Sequence, residues 1–299
     1  MLCLCSMAVQ AQLTYETLYV DYDSVWEFKN LKIIPIRPKH GQGNGLPGVI
    51  TLSQAIQQGL ATITERGTAS TENVHFLRIN NHSDKSLLIS SGELIAGGRQ
   101  DRMVAHDTIL APDGKDQYIP VMCVEENRWS EKEKKFVYSN FANPYLRKVL
   151  EQNKNQVLIW KEISTELDQG QIKSKTLAYL SRNADKKMVF ANEEYFKFFQ
   201  NKFQHADSSI VGFLAISGNK VIGSDIFNDR NLFYGQLNPL LHGYIDGAVL
   251  YGAPPKMPLD DIKEYMDKLL KDEHSQEAFV KYNGKIFRHQ GQVVHVNTF

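Results

Sequence analysis

The hydrophobic period changes twice along the chain, and those two changes constrain its fold more than any single motif does. From Leu13 to about Glu126 apolar residues alternate in the manner of strands, in Thr14 to Val20, Leu31 to Arg37, Val74 to Asn80, Ser86 to Ile95, Gln100 to Leu110 and Tyr118 to Val124. Turn-forming runs at Asn81-His82-Ser83-Asp84 and Pro112-Asp113-Gly114 separate them. One helix is predicted in this half, over Leu52 to Gln58, because Thr51 and Gln54 have capping-box spacing and Gly59 supplies a stop. Beyond Trp129 the spacing becomes helical. Val157, Trp160, Ile163 and Leu167 make one stripe, and Tyr195, Phe199 and Phe203 a second. A third is Phe233, Leu237, Leu240, Tyr244 and Ala248, around Pro239, and a fourth Ile262, Met266 and Leu269. Strands return at Ile210 to Ser217, Lys220 to Ile226 and Gly284 to Asn297. A β-rich first half, a helical insertion and closing strands that rejoin the sheet predict an α+β fold, without the regular alternation of a doubly wound one.

Composition narrows the class of function. With 42% hydrophobic and 23% charged residues over 299 positions, the chain has the make-up of a soluble globular protein. Thirty-four basic residues balance thirty-four acidic ones, so no net field draws it to nucleic acid or an anionic membrane. No stretch approaches the roughly 20 apolar residues of a transmembrane span. The apolar opening ends at Val9-Gln10-Ala11-Gln12, with small residues where signal peptidase reads them, although no Lys or Arg precedes Lys29. Residues 1–11 are therefore read either as a signal peptide whose basic start is missing or as a greasy terminus. The first reading expects a periplasmic or secreted protein, the second a cytoplasmic one, and residues 12–299 form a single domain in both. Cleavage would leave Cys123 alone, so no internal disulfide supports export.

Gly43-Asn44-Gly45-Leu46-Pro47-Gly48 spells G-x-G-x-x-G after a strand and before a helix, with Glu65 about twenty residues on. A dinucleotide site needs the first glycine directly off the strand and the third at the helix start, so that helix amides meet the pyrophosphate. Here Pro38 to Gln42 and Val49-Ile50 intervene. The segment reads as a glycine loop, able to lie over a site elsewhere.

The segment Ser90 to His106 carries more chemistry. With Gly97-Gly98 as a two-residue hairpin turn, Ala96 pairs with Arg99, Ile95 with Gln100 and Glu93 with Arg102. Alternation then puts Glu93, Gln100, Arg102 and His106 on one face, joined by Ser91. A guanidinium suits phosphate or carboxylate, and a carboxylate suits proton transfer or metal binding. A cross-strand Glu and Arg also make an ordinary structural pair, worth roughly 0.2–1 kcal/mol. A longer loop would break the pairing of Glu93 with Arg102. A second polar point follows a strand end, where Glu125 and Arg128 stand beside Trp129, as a site or as a capped turn. Cys123, in an apolar strand without a neighbouring base, reads as buried and inert. His289 and His295 lie about 20 Å apart along one strand, too far for one ion unless Gln290-Gly291 turns the chain. Asp225 and Asp229 fit a cation or a turn equally well. No standard nucleophile, metal or cofactor motif is present, and no cofactor or metal is expected.

The run Gly92-Glu93-Leu94-Ile95-Ala96-Gly97-Gly98-Arg99-Gln100-Asp101-Arg102, with Ile119 to Glu125 and Arg128-Trp129, resembles the ADP-ribosylglycohydrolase and rhodanese-phosphatase-superfamily-associated domain family. The resemblance extends from the Gly45 loop to the C-terminal strands. That family is named for its genomic company and has no established reaction. The company implies chemistry on, or sensing of, ADP-ribose or another nucleotide-derived phosphate compound. Carried over by position, the implied site residues are Glu93, Gln100, Arg102, Glu125 and Arg128. An exported copy departs from that picture, because NAD-derived metabolites are chiefly intracellular. The leading expectation is a domain that binds or processes a small phosphorylated ligand. In it Glu93 is the general acid/base, Gln100 and Arg102 orient the anion, Glu125 assists, and Arg128, Trp129 and His106 bind. The alternative is a non-catalytic exported interaction module in which Glu93 and Arg102 are a structural pair.

Overall fold

A computed structural model describes residues 12–39, 46–67, 73–130, 135–206 and 208–299. Residues 1–11, expected as a signal peptide or a greasy terminus, and Gly43 and Gly45 of the glycine motif lie outside them. The chain enters through β1 (Leu18–Val20), β2 (Trp26–Phe28) and β3 (Leu31–Pro38). β1 is shorter than the predicted strand, because the Thr14 carbonyl accepts from Thr17 N–H (3.0 Å) and Leu18 N–H (2.8 Å) in a turn. Next come β4 (Val49–Thr51) and α1 (Leu52–Gln57), where the Thr51/Gln54 capping box forms as expected. There follow β5 (Ala61–Glu65), β6 (Phe76–Asn81), β7 (Ser86–Ile89), β8 (Glu93–Ala96), β9 (Arg102–Val104), β10 (Thr108–Leu110), β11 (Asp116–Cys123) and β12 (Val137–Phe141).

Two predicted strands are each cut in half. Ser86 to Ile95 breaks at Ser90–Gly92, and Gln100 to Leu110 breaks at Ala105–Asp107. β7 and β10 belong to a three-stranded sheet ordered β10-β7-β4, whereas β8 and β9 belong to a six-stranded sheet ordered β12-β8-β9-β11-β6-β5. Both segments change sheets at one point, where Gly92 N–H donates to the Val104 carbonyl at 2.9 Å. Gly92 has φ 91°, a region open to glycine, and alternation continues across the bend, so the pattern hides it.

The helical half contains α2 (Pro144–Asn153), α3 (Gln156–Gln169), a 3-10 turn (Tyr179–Ala184) and α4 (Lys186–His205). After it come β13 (Gly212–Ser217), β14 (Lys220–Phe227), α5 (Arg230–Tyr251), α6 (Leu259–Leu270), α7 (Glu273–Asn283), β15 (Gly284–His289) and β16 (Gln292–Thr298). The stripes predicted for α4, α5 and α6 are buried. That of α3 is rotated: Val157 is 67% exposed and the buried face is Ile159, Ile163, Glu166 and Leu167. A carboxylate in an apolar slot conceals the true face. The last predicted strand is a hairpin, turned at Gln290-Gly291.

A seven-stranded sheet, β1-β3-β13-β14-β16-β15 with β2 beside β3, carries most of the core. Alternation sends Leu31, Ile33, Phe213 and Ala215 toward α4 and α5. Ile34, Ile36, Leu214 and Ile216 point the other way, toward α6 and α7. The six-stranded sheet sets Leu77, Ile79, Ile95 and Val104 against Leu87, Ile89 and Leu110 of the small sheet. Its other face, with Leu94 and Met103, meets α2 and α3. α5 ties these layers together. At Gly243 an added Cβ would stand 2.7 Å from the Ala142 carbonyl oxygen, so only glycine lets the helix approach the end of β12 so closely. Among the described residues no helix is long and apolar enough to cross a membrane.

Gly92→Ala therefore meets two penalties, the positive φ and a Cβ 2.9 Å from Cγ of the buried Arg147. It should destabilise the fold by about 2 kcal/mol, read as a lower urea midpoint at unchanged m-value. A midpoint equal to that of the parent would contradict the bend.

Candidate functional site

The hairpin forms, but with a longer loop than predicted. Leu94 faces Met103 and Ile95 faces Arg102, two residues out of the expected register, and Gly97–Asp101 lie outside the strands. The loop closes around Arg128, whose Nη2 and Nη1 donate to the carbonyls of Gly97 and Gly98, each at 3.1 Å. Asp101 Oδ1 accepts from Gly97 N–H at 2.8 Å and from Arg128 at 3.0 Å. A two-residue turn has no room for these bonds. An even shift keeps Glu93 and Arg102 on one face while separating them.

Glu93 has no exposed surface. Its Oε2 accepts from Ser90 N–H (2.7 Å), and its Oε1 from Tyr138 Oη and Gln236 Nε2 (3.0 Å each). Burial pushes its carboxyl up to about 7 against those three donors. Arg102, equally enclosed, places Nη2 3.6 Å from Glu65 Oε2 and Nη1 3.4 Å from Gln100 Oε1. Gln100 Nε2 donates to the Glu125 carbonyl at 2.8 Å. The Glu125 carboxylate accepts from Arg128 Nε and from the Thr176 hydroxyl, both at 2.6 Å. Trp129 is half exposed, with the Arg99 guanidinium 5.9 Å from its ring centre. His106 is exposed on the bend, 3.4 Å from Lys154 Nζ, and partial burial followed by that cation lowers its pKa. The structure thus divides the seven expected residues. Gln100, Arg102, Glu125, Arg128 and Trp129 gather around the loop, while Glu93 joins Tyr138 and Gln236, and His106 stands apart. Cys123 is buried, its backbone held at both N–H and C=O by Gln156.

An ion cluster that spacing did not reveal lies behind the bend. Asp225 of β14 accepts two bonds from Arg147 of α2 (2.7 and 2.8 Å), one from Tyr244 of α5 (2.8 Å) and one from His295 Nε2 of β16 (2.9 Å). His295 Nδ1 faces Asp107 Oδ1 at 4.0 Å, and Lys285 stands 2.5 Å from Asp107 and 2.6 Å from Glu151. Burial works against these charges. The neighbouring cations nevertheless hold Asp225 down to about 2 and Asp107 well below the usual range, and the two carboxylates raise His295. Asp225 is thus neither turn residue nor cation ligand, and Asp229 caps α5 through the N–H groups of Asn231 and Leu232. Among the described residues no group of three or more His, Cys, Asp or Glu side chains is placed to hold a metal.

The second unforeseen feature is a cavity of about 780 Å³ between β12, the 3-10 turn, α4 and α5. Arg182, 1% exposed, lies on its lining. Its Nε donates to the Tyr179 carbonyl (2.9 Å) and its Nη2 to Glu166 (2.7 Å), and the Tyr179 ring lies 3.6 Å from the guanidinium carbon. Nη1 has no hydrogen-bond partner. Burial pushes Glu166 up to about 7, against the pull of Arg182. Asn192 donates through Nδ2 to Asp246 Oδ1, leaving Asn192 Oδ1 and Asp246 Oδ2 buried and without partners. The His242 ring stacks on Phe196 at 4.3 Å, and Phe190, 67% exposed, stands at the rim. β12 supplies Ser139 and Asn140 from a bulge. No expected site residue lines this cavity. Its residues come from four elements and have no common spacing. Two local signals were present: Phe190 lies off the apolar stripe of α4, and His242 and Asp246 make an i,i+4 polar pair within the largely apolar second half of α5.

These shifts set a pH dependence. Glu93 and Glu166, raised from 4.5 to about 7, take up protons on folding, so stability falls as pH rises between those values. His295, raised from 6.5, contributes fully below that value and loses its contribution as pH rises through the folded pKa. Asp225, lowered from 3.8 to about 2, loses its contribution only in acid. The urea midpoint should decline from about pH 5 to pH 8, and His295→Asn should flatten the upper part of that decline. A midpoint that climbs across this interval would refute the assignment.

No curated protein and no solved structure matches the chain. The ARG and Rhodanese-Phosphatase-superfamily-associated Protein domain matches residues 19–299, a span that takes in the hairpin, the ion cluster and the cavity. The chain belongs to that family.

Proposed function

We propose that this protein binds a small nucleotide-derived compound, and that the ligand occupies the cavity between β12, the 3-10 turn, α4 and α5. The observation that carries the reading is Arg182, a buried guanidinium on the lining of an open cavity with its Nη1 unpartnered. A buried donor without a partner costs about 1–3 kcal/mol, and a ligand acceptor offsets that cost. The walls fit the rest of such a ligand. Phe190 and the stacked Phe196 and His242 rings are flat faces for a base, and about 780 Å³ lies within the range of small-molecule sites. The family's association with ADP-ribosylglycohydrolases points to the same ligand class. In this reading the hairpin supports the site instead of forming it. Glu93 holds β12 and α5 through Tyr138 and Gln236, and Arg128 holds the loop.

Calorimetry and thermal unfolding with ADP-ribose, ADP and AMP test it. At least one should raise Tm and bind the parent protein. Phe190→Ala, at an exposed position, should leave the unliganded Tm within about 2 °C and weaken binding about tenfold or more. Arg182→Lys should weaken it as well, since lysine cannot reproduce the planar fork. No binding by any of the three, or binding equally tight in both variants, would sink the proposal.

A further inference from the structure

The unpartnered atoms on and behind the cavity wall specify which part of a ligand enters it. Arg182 Nη1 can only donate. Asn192 turns Nδ2 toward Asp246 Oδ1, and its free Oδ1 can only accept. Behind it Asp246 Oδ2 is a second buried acceptor without a partner. A phosphate at neutral pH offers acceptors alone. It could bond Arg182 but would leave Asn192 Oδ1 unsatisfied, with the buried carboxyl of Asp246 behind that amide. A group that accepts from the guanidinium and donates to the amide oxygen needs both functions. Hydroxyls on adjacent carbons supply both, and the C–H face of the ring carrying them packs on an aromatic plane such as the Phe196 and His242 stack.

We infer that the cavity recognises a vicinal diol on a sugar ring, with Arg182 donating to and Asn192 accepting from its hydroxyls, so that any phosphate on the ligand lies toward the mouth, where Lys197 stands. The inference rests on the cavity being the ligand site, and it goes further by naming the moiety read at the wall. His242 is a titratable ring on the cavity lining. Its pKa is lowered by burial, against the pull of Asp246, so it is neutral at pH 7 and presents no charge to the diol.

Three probes separate the possibilities by calorimetry on the full chain: adenosine, 2′,3′-dideoxyadenosine and inorganic pyrophosphate. Adenosine should bind, the dideoxy compound at least about tenfold more weakly, and pyrophosphate should not displace adenosine. Asn192→Ala should bring adenosine and its dideoxy analogue to equal affinity while Phe190→Ala weakens both, and a thermal melt of each variant certifies its fold. Equal affinities in the parent protein, or displacement of adenosine by pyrophosphate, overturn the diol assignment and leave the cavity as the nucleotide site. Adenosine binding that neither variant changes overturns both, as does failure of all three probes together with ADP-ribose, ADP and AMP.

Discussion

Asp225 is a carboxylate with no exposed surface, and three elements reach it with charged or ionisable side chains. Taking such a group out of water costs several kcal/mol, which its attractions repay only when geometry and hydrogen bonding are nearly complete. Four donated bonds supply that completeness, and they come from three residues on three different elements. Arg147 must leave α2 on the side of β14, Tyr244 must face inward from α5, and His295 must sit at the pairing point of β16 with Phe227. A slip of one residue in β16 would turn His295 to the other face and leave Asp225 short of a partner. The hydrophobic faces of the seven-stranded sheet provide most of the driving force, since alternating apolar rows pack helices on both sides. They select poorly among registers two residues apart. The ion cluster selects one, and through Arg147 it also fixes Gly92, where the chain passes between sheets.

Arg182 and Glu166 repeat the arrangement in the helical half, beside the cavity. Glu166 receives bonds from Arg182 and Asn143, and Tyr179 presents its ring to the guanidinium and its hydroxyl to Asn143 N–H. Here the set is incomplete. Arg182 Nη1, Glu166 Oε1 and Asp246 Oδ2 keep no partner. Of these residues Arg182 lies on the lining of the cavity, whereas the atoms left unpartnered in the Asp225 cluster, Arg147 Nε and His295 Nδ1, belong to residues that do not line it.

Where periodicity is the whole signal, sequence and structure agree. Tyr195, Phe199 and Phe203, and the five apolar positions of α5, are buried as their spacing requires, and the Thr51 box opens its helix. Disagreement arises where one polar residue overrides the pattern. Glu166 rotates α3, Gly92 redirects a strand whose alternation continues unbroken, and Arg128 enlarges a turn that two glycines would otherwise close. The site was harder to read for a related reason. Glu93, Gln100 and Arg102 looked like a ligand face because alternation reports which residues share a face, not whether that face meets solvent or another layer. Arg182, Asn192 and His242 come together only after α4 and α5 pack, and no window of sequence contains all three.

The hairpin and the cavity remain physically connected through β12. From Tyr138, opposite Ile95, to Phe141, opposite Glu93, β12 takes three steps while β8 takes two, so one extra residue is accommodated as a bulge. Ser139 and Asn140 occupy that bulge and line the cavity. Glu93 spans it, pairing through its strand with Phe141 and through Oε1 with the Tyr138 hydroxyl, while the same oxygen takes the bond from Gln236 of α5. Burying this carboxyl is costly, as its displacement to about 7 records. An apolar side chain there would avoid that cost but would release both the bulge and the helix that carries His242. The carboxyl at position 93 is therefore explained by where it puts its neighbours: it sets the distance between β12 and α5, two of the four elements that bound the cavity.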